Sequence, residues 1–269
     1  MPAKLVSKGL KVLGYLVVAG ILGFVLLPAI VVTVASFNQS AILAFPPKEL
    51  SWRWYINAFS YADFGHGLRN SLVVTFWGSS IALLVGGAFG YALFRYEFRF
   101  RRTLEMILLS PLVIPQFTIG LGLLMLASMI SVPRTYPLVV FTHTVIVLPF
   151  VLRSVFISLQ NFNTRYESVA ASLGASPGRV LTTVTIPLLL PGLLSGWLFA
   201  AILSFNEFTA TLFVANQATH TLPVAMYNYV REYADPTLAA LSVVYILATA
   251  GLLLAANAIF GLDKVFNVD

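Results

Sequence analysis

Glu207 is a carboxylate placed in the apolar run Leu203-Ser204-Phe205-Asn206-Glu207-Phe208-Thr209. A carboxylate inside a membrane-spanning helix costs about 2.5–3.5 kcal/mol on insertion scales, so a residue retained there points to a functional site. On a continuous helix Ser204, Glu207 and Thr211 fall at i, i+3 and i+7 and form one polar stripe, with Asn206 next to Glu207. Two chemistries fit. In one, the stripe faces a cavity and Glu207 attracts a cationic or amino-bearing solute, with Phe205 or Phe208 adding a cation–π contact. In the other, Glu207 pairs with a basic or amide group of a neighbouring subunit. Gln116, beside Pro111 and Pro115, is a second polar candidate, because prolines there remove backbone donors and kink a helix. The carbonyls so freed are tolerated where protein or a water-filled cavity satisfies them; a packing kink is the alternative.

Catalytic and metal chemistry find little support. His66, His143 and His220 lie in separate segments, without a His-Glu-x-x-His spacing. His143 reads as a hydrogen-bonded packing histidine rather than a ligand, and no metal ligand set is expected. No cysteine is present, which removes thiolate ligands, thiol nucleophiles and disulfides. No Gly-x-x-x-x-Gly-Lys-Ser/Thr occurs. The chain is therefore expected not to be an enzyme, and no catalytic residue is assigned.

The elements that must carry these residues follow from composition. Of 269 residues, 59% are hydrophobic and only 10% charged, against about a quarter charged in soluble domains. A water-solvated surface cannot be built from this chain. A spanning helix needs about 20 mostly apolar residues, and runs of that kind cover Val12–Ser36, Leu68–Phe94, Leu104–Ile130, Leu138–Leu159, Leu190–Ala215 and Leu238–Leu262. They are apolar all round rather than alternating, which favours helices over a barrel. The first run exceeds the roughly 7–15 residues of a signal-peptide core and is read as a retained span. Gly86-x-x-x-Gly90 and Gly192-x-x-x-Gly196 read as close helix contacts. The expectation is an all-α, polytopic membrane protein with six transmembrane helices, residues 1–269 forming one domain.

Six spans put both termini on one side. That side carries Lys4, Lys8, Lys11, Arg95, Arg99, Arg101, Arg102, Arg153, Arg165, Arg179 and Lys264, against Lys48, Arg53, Arg69, Arg134 and Arg231 opposite: 11 basic residues to 5. The richer side is expected to be cytoplasmic, which also explains the net charge of +6 without nucleic acid. The opposite segment from Asn38 to Gly67 holds Trp52, Trp54, Tyr55 and Tyr61, aromatics suited to headgroup level, and has room for a short interfacial helix.

The longest segment on the basic side, about 160–188, contains Tyr166-Glu167-Ser168-Val169-Ala170-Ala171-Ser172-Leu173-Gly174-Ala175-Ser176 and, further on, Val184-Thr185-Ile186-Pro187. Small side chains at Ala170, Ala171 and Ser172 allow another surface to approach the backbone, and Gly174 suits the left-handed end of a short helix. The phrase resembles the cytoplasmic loop of permease subunits in binding-protein-dependent ABC importers, where a Glu-Ala-Ala motif, a glycine and a later aliphatic-proline pair mark the ATPase docking site. Counting back from Gly174, the family's glutamate and two alanines fall on Ser168, Val169 and Ala170, so only the second alanine matches and Glu167 stands one place early. Ser110-Pro111-Leu112-Val113-Ile114-Pro115 and Phe94-Arg95-Tyr96-Glu97-Phe98-Arg99 are similar to the branch that imports polyamines, opines, phosphonates and related small polar nutrients.

The resemblance implies a type I ABC importer transmembrane domain in a bacterial inner membrane, multi-pass, enclosing half of a translocation pathway. It implies as partners a cytoplasmic ABC ATPase dimer, a second permease subunit (a related chain or a second copy) and a periplasmic solute-binding protein, beside membrane lipid and without nucleic acid. ATP and Mg would be bound by the ATPase, with no cofactor in this chain. Glu167, Ser168, Ala170, Ala171, Gly174 and Pro187 take the coupling role; Ser204, Asn206, Glu207, Thr211 and Gln116 are assigned to the pathway. An autonomous channel or secondary transporter is the alternative function.

Overall fold

The computed structural model describes residues 2–42 and 45–260, and among them no β-strand occurs. In chain order the helices are α1 (Pro2–Ala35), α2 (Arg53–Ser60), α3 (Ala62–Arg95), α4 (Arg101–Leu109), α5 (Gln116–Met129), α6 (Tyr136–Gln160), α7 (Arg165–Ser172), α8 (Pro177–Val180), α9 (Ile186–Phe205), α10 (Thr211–Val214), α11 (Leu222–Glu232) and α12 (Thr237–Phe260). Among the described residues four helices are long and apolar enough to cross a membrane: Leu13–Ala35, Ala62–Arg95, Tyr136–Gln160 and the composite Pro177–Phe205. A fifth crossing arises if α4 and α5 count as one span, and α12 occupies the sixth expected run. The end of that run at Leu262, and Lys264, lie outside the described residues.

Two expected spans are interrupted. The run Leu104–Ile130 is not one helix: α4 passes through a 3-10 turn at Ser110–Leu112, and α5 leaves at 108° to it. Pro115, with ψ 136, lacks the amide that would continue the ladder, and a proline also disfavours helical geometry in the residue before it. The run Leu190–Ala215 likewise starts earlier and stops earlier. Pro177 opens the helix, a π turn over Leu181–Thr185 precedes α9, and the helix ends at Phe205 rather than Ala215. The π turn comes immediately before Pro187, where the ring of an interior proline would clash with the preceding turn of a regular α-helix.

The chain forms two compact units. In the first, residues up to Ala62 join Asn228–Ala250. Phe37, Trp52 and Tyr55 pack edge-on and tilted with ring centroids 5.0–5.1 Å apart, and Ser36 Oγ meets the Tyr55 hydroxyl at 2.7 Å. Asn57 donates to Thr237 Oγ1 at 2.8 Å, and Asp235 accepts the Thr237 amide, capping α12. The short helix expected between Asn38 and Gly67 is α2. From Leu13 to Ile30 the apolar side chains of α1 remain exposed, as lipid-facing residues do.

The second unit, Asp63–Tyr227 with the described residues from Gly251, is built on α6. Val139, Val147, Val151, Leu152 and Val155 of α6 are fully buried. Both glycine pairs serve this helix. A Cβ at Gly86 or Gly90 would meet Val151 or Val155 at 3.3 and 2.9 Å, and one at Gly192 or Gly196 would run into Ser158 or Ser154. Ser154 donates to the Gly192 carbonyl at 2.9 Å. The glycines thus bring α3 and α9 close enough to pack backbone on side chain against α6.

Gly120 of α5 is tighter still: its Cβ would lie 2.6 Å from Ala210 Cα and 2.8 Å from the Ala210 carbonyl oxygen. Backbone cannot yield as a flexible side chain does. Gly120→Ala should lower stability by about 1–3 kcal/mol, the usual cost of overpacking. Gly122→Ala, with nothing within 4 Å of its Cβ, should be neutral or slightly stabilising. Thermal unfolding of the detergent-solubilised proteins compares the two directly.

Candidate functional site

Two places collect the polar residues singled out from the sequence. One is the interruption after α9. The helix stops at Phe205, so the continuous stripe expected for Ser204, Glu207 and Thr211 does not form. Glu207 lies beyond the helix end and is 4% exposed. Its Oε1 accepts the Ala210 amide at 2.6 Å, which supplies an acceptor for backbone that the ended helix leaves unpaired. A neighbouring-subunit partner is not needed to satisfy that carboxylate oxygen.

His143 spans the same break from α6. Its Nδ1 meets Ser204 Oγ and its Nε2 meets Thr211 Oγ1, each at 2.8 Å, and all three side chains are buried. One ring therefore binds the residue before the interruption and the residue after it. A neutral imidazole has one donor and one acceptor nitrogen. The ring therefore donates to one of these hydroxyls and accepts from the other, and the Thr211 hydroxyl also lies 3.4 Å from the Glu207 carbonyl. The reading of His143 as a packing histidine agrees with this geometry. Its bridging of a helix break was not visible in the sequence, since the break itself was not.

Asn206 and Gln116 differ from the buried trio. Both are exposed, Asn206 at the end of α9 and Gln116 at the first position of α5 after Pro115. Beyond α10 the chain is tied to α3 and to the start of α6: Asn70 donates to the carbonyls of Ala218 and His220, and Ser71 Oγ accepts the Leu222 amide. Arg134 donates to the Ala215 carbonyl.

The other place is the loop after α6. Within 160–188 only residues up to Ser176 form a connection, because Pro177 already begins the long helix; Pro187 is a helix residue and not a loop terminator. Gly174 has φ +85°. The Ala175 amide bonds to the Ala170 carbonyl and the Gly174 amide to the Ala171 carbonyl, the paired bonds that close a helix on a left-handed residue. Glu167 turns inward, with Arg95 as ion-pair partner and Thr185 Oγ1 donating to its Oε1 at 2.6 Å. Ser168 and Ala171 line a cleft of about 340 Å³ with Tyr91, Leu181 and Thr185, while Ala170 is half-buried.

The outward side of α7 is made by larger residues, of which only Val169 falls on a position of the family motif, that of its first alanine. Tyr166, Val169 and Leu173 are 56%, 59% and 84% exposed and stand at i, i+3 and i+7, one apolar stripe. Three large, exposed apolar side chains at helical spacing form a patch of the kind that suits contact with another protein. The spacing is legible in the sequence, although the small residues of the motif, interleaved with these three, carry the stronger signal there.

Comparison with known proteins places this geometry. The family described as binding-protein-dependent transport system inner membrane component matches residues 78–262. The spermidine/putrescine transport system permease protein PotC of Haemophilus influenzae is 26% identical over 88% of this chain and 91% of its own length. A Salmonella typhimurium protein that carries the name of a 2-aminoethylphosphonate transport system permease, PhnV, is 32% identical over 84% of this chain and 85% of its own. Among solved structures, a chain of a bacterial ABC transporter involved in alginate import superposes with a TM-score of 0.72 at 15% identity, covering 97% of both chains. The MetNI methionine ABC transporter gives 0.60 at 20% identity, covering 75% of this chain and 94% of that one. These two likenesses establish the fold.

The bridge across the break yields a stability test. His143→Leu leaves the Ser204 and Thr211 hydroxyls without their partner, and a buried group so orphaned costs about 1–3 kcal/mol. The melting temperature of the solubilised protein should fall most for Leu and less for Gln, which retains a donor and an acceptor.

Proposed function

The chain belongs to the family of binding-protein-dependent transport system inner membrane components, and from that premise we propose that it forms half of an ABC importer's translocation pathway and couples it to a cytoplasmic ATPase. It is a multi-pass inner-membrane permease and not an enzyme; ATP and Mg belong to the partner ATPase. The observation that carries the coupling role is α7. It is a short helix closed by Gly174 at positive φ and fixed inward through Glu167, and it offers Tyr166, Val169 and Leu173 outward. A rigid helix with an unpartnered apolar stripe suits a groove on another protein.

In this reading Tyr166, Val169 and Leu173 enter the ATPase groove, Gly174 lets the chain leave it, and Ser168, Ala170 and Ala171 face the membrane helices. Asn206 and Gln116 meet the solute, whereas Ser204, Glu207 and Thr211 hold the backbone that presents Asn206. The remaining partners are a second permease subunit and a periplasmic solute-binding protein. The solute is a small polar molecule bearing an amino group, a choice supported by the names of PotC and PhnV. Both termini lie in the cytoplasm, a reading supported by the basic residues.

Co-expression with an ABC ATPase subunit from the same organism, followed by reconstitution, tests this reading. A stable complex that accumulates putrescine, spermidine or 2-aminoethylphosphonate only with ATP supports it; flux by the chain alone supports an autonomous transporter. Gly174→Val forces a β-branched residue into the left-handed region at a cost of about 1–2 kcal/mol. Uptake should fall with membrane insertion intact, and unchanged uptake would count against the coupling role of this loop. The absence of cysteine makes topology directly measurable. A single cysteine at Leu173 should react with an impermeant maleimide only after cell lysis, and one at Ile42 in intact spheroplasts.

A further inference from the structure

α7 has eight residues and not one of them is fully buried. Isolated helices of that length are unstable in water, and no fully buried side chain anchors this one against the membrane helices. Polar contacts at Glu167 take that place. One carboxylate oxygen pairs with Arg95, the last residue of α3, and the other accepts Thr185 Oγ1 at 2.6 Å. The Glu167 side chain is 13% exposed, that of Arg95 27%, and Thr185 1%. Exposed ion pairs contribute little, but this carboxylate is largely removed from water, has both oxygens engaged, and sits in the first turn of α7, where the helix dipole favours an anion.

The π turn bears on the same contact. Thr185 is its last residue. In an uninterrupted α-helix, one residue fewer would rotate the downstream part of the helix by about 100°, so the inserted residue sets the direction of Thr185 relative to the helix ahead of it. Beside the contact, the cleft lined by Ser168, Ala171 and Ala175 leaves space into which α7 can tilt about its tether.

We propose that Arg95 and Thr185 are positioning residues that hold the docking helix through the Glu167 carboxylate, and that they pass its displacement to α3 and to the Pro177–Phe205 helix. This rests on the reading of α7 as the docking element. Glu167 then acts inside the chain, and the ATPase touches the opposite side of α7.

The test uses the cysteine-free full chain in nanodiscs, with one spin label on a cysteine at Leu173. Arg95→Glu and Glu167→Arg should each mobilise the label, and the double reversal should restore an ordered spectrum. A label that stays ordered in both single variants, or a double reversal that restores nothing, overturns the proposal. Should a charge reversal fail to insert, Arg95→Gln and Thr185→Val decide on the same spectrum: mobilisation supports the tether and an unchanged spectrum overturns it. In the reconstituted transporter, the single reversals should keep the ATPase bound. They should lower ATP-driven uptake of putrescine or 2-aminoethylphosphonate about tenfold, within the usual range of coupling between sites, and the double reversal should recover it. Failure of the ATPase to bind the unsubstituted chain would refute the docking role while leaving the spectrum to judge the tether.

Discussion

A backbone amide or carbonyl inside a bilayer has no water to turn to, and this chain interrupts two of its membrane helices. Each interruption depends on groups brought from elsewhere in the fold. After Phe205, the Glu207 carboxylate accepts the Ala210 amide, and His143 bonds to Ser204 and Thr211 on either side. Gly120 lets α5 approach the same stretch at backbone distance. Remove these and the segment that turns Asn206 outward would have to become helix or leave unpaired polar groups in an apolar medium.

The same economy of side chains explains the centre of the second unit. α6 is buried along most of its length because α3 and α9 present glycines to it. Hydrophobicity alone cannot select such an arrangement among helices already dissolved in lipid; close packing and interhelical hydrogen bonds must do so. Ser154 bonding the Gly192 carbonyl, Thr144 the Gly78 carbonyl and Trp197 the Ser80 hydroxyl supply those bonds. The outcome is a rigid frame in which the helix breaks and α7 are the exceptions.

Rigidity in the frame gives meaning to the loop. A helix without a buried side chain would wander if it were joined only by its ends, and a wandering helix cannot transmit force. The Glu167 contacts with Arg95 and Thr185 connect α7 to the end of α3 and to the π turn of the Pro177–Phe205 helix at one point. A short helix held in this way is fixed to the frame while its apolar stripe stays outward.

The sequence by itself determined the class. Its low charge and apolar runs admit only a membrane protein, and Gly174, the glycine pairs and the loop phrase pointed to the family now established and to packing that the helices adopt. Those signals are local, since they depend on composition, on span length and on glycine's conformational freedom. Tertiary structure decided what neighbours supply. Pro111 and Pro115 signalled a kink in the third run, but not its 108° bend, and nothing revealed that the fifth would end at Phe205, because hydropathy measures transfer into lipid and not continuity of the hydrogen-bond ladder. Glu207 read as either a solute-facing carboxylate or a partner for a neighbouring subunit while its helix was taken as unbroken; the break turned it toward Ala210. Glu167 read as a docking residue from the motif, and the approach of Arg95 and Thr185 turned it inward. A charged side chain takes its role from the groups that satisfy it, and those groups are set by the fold.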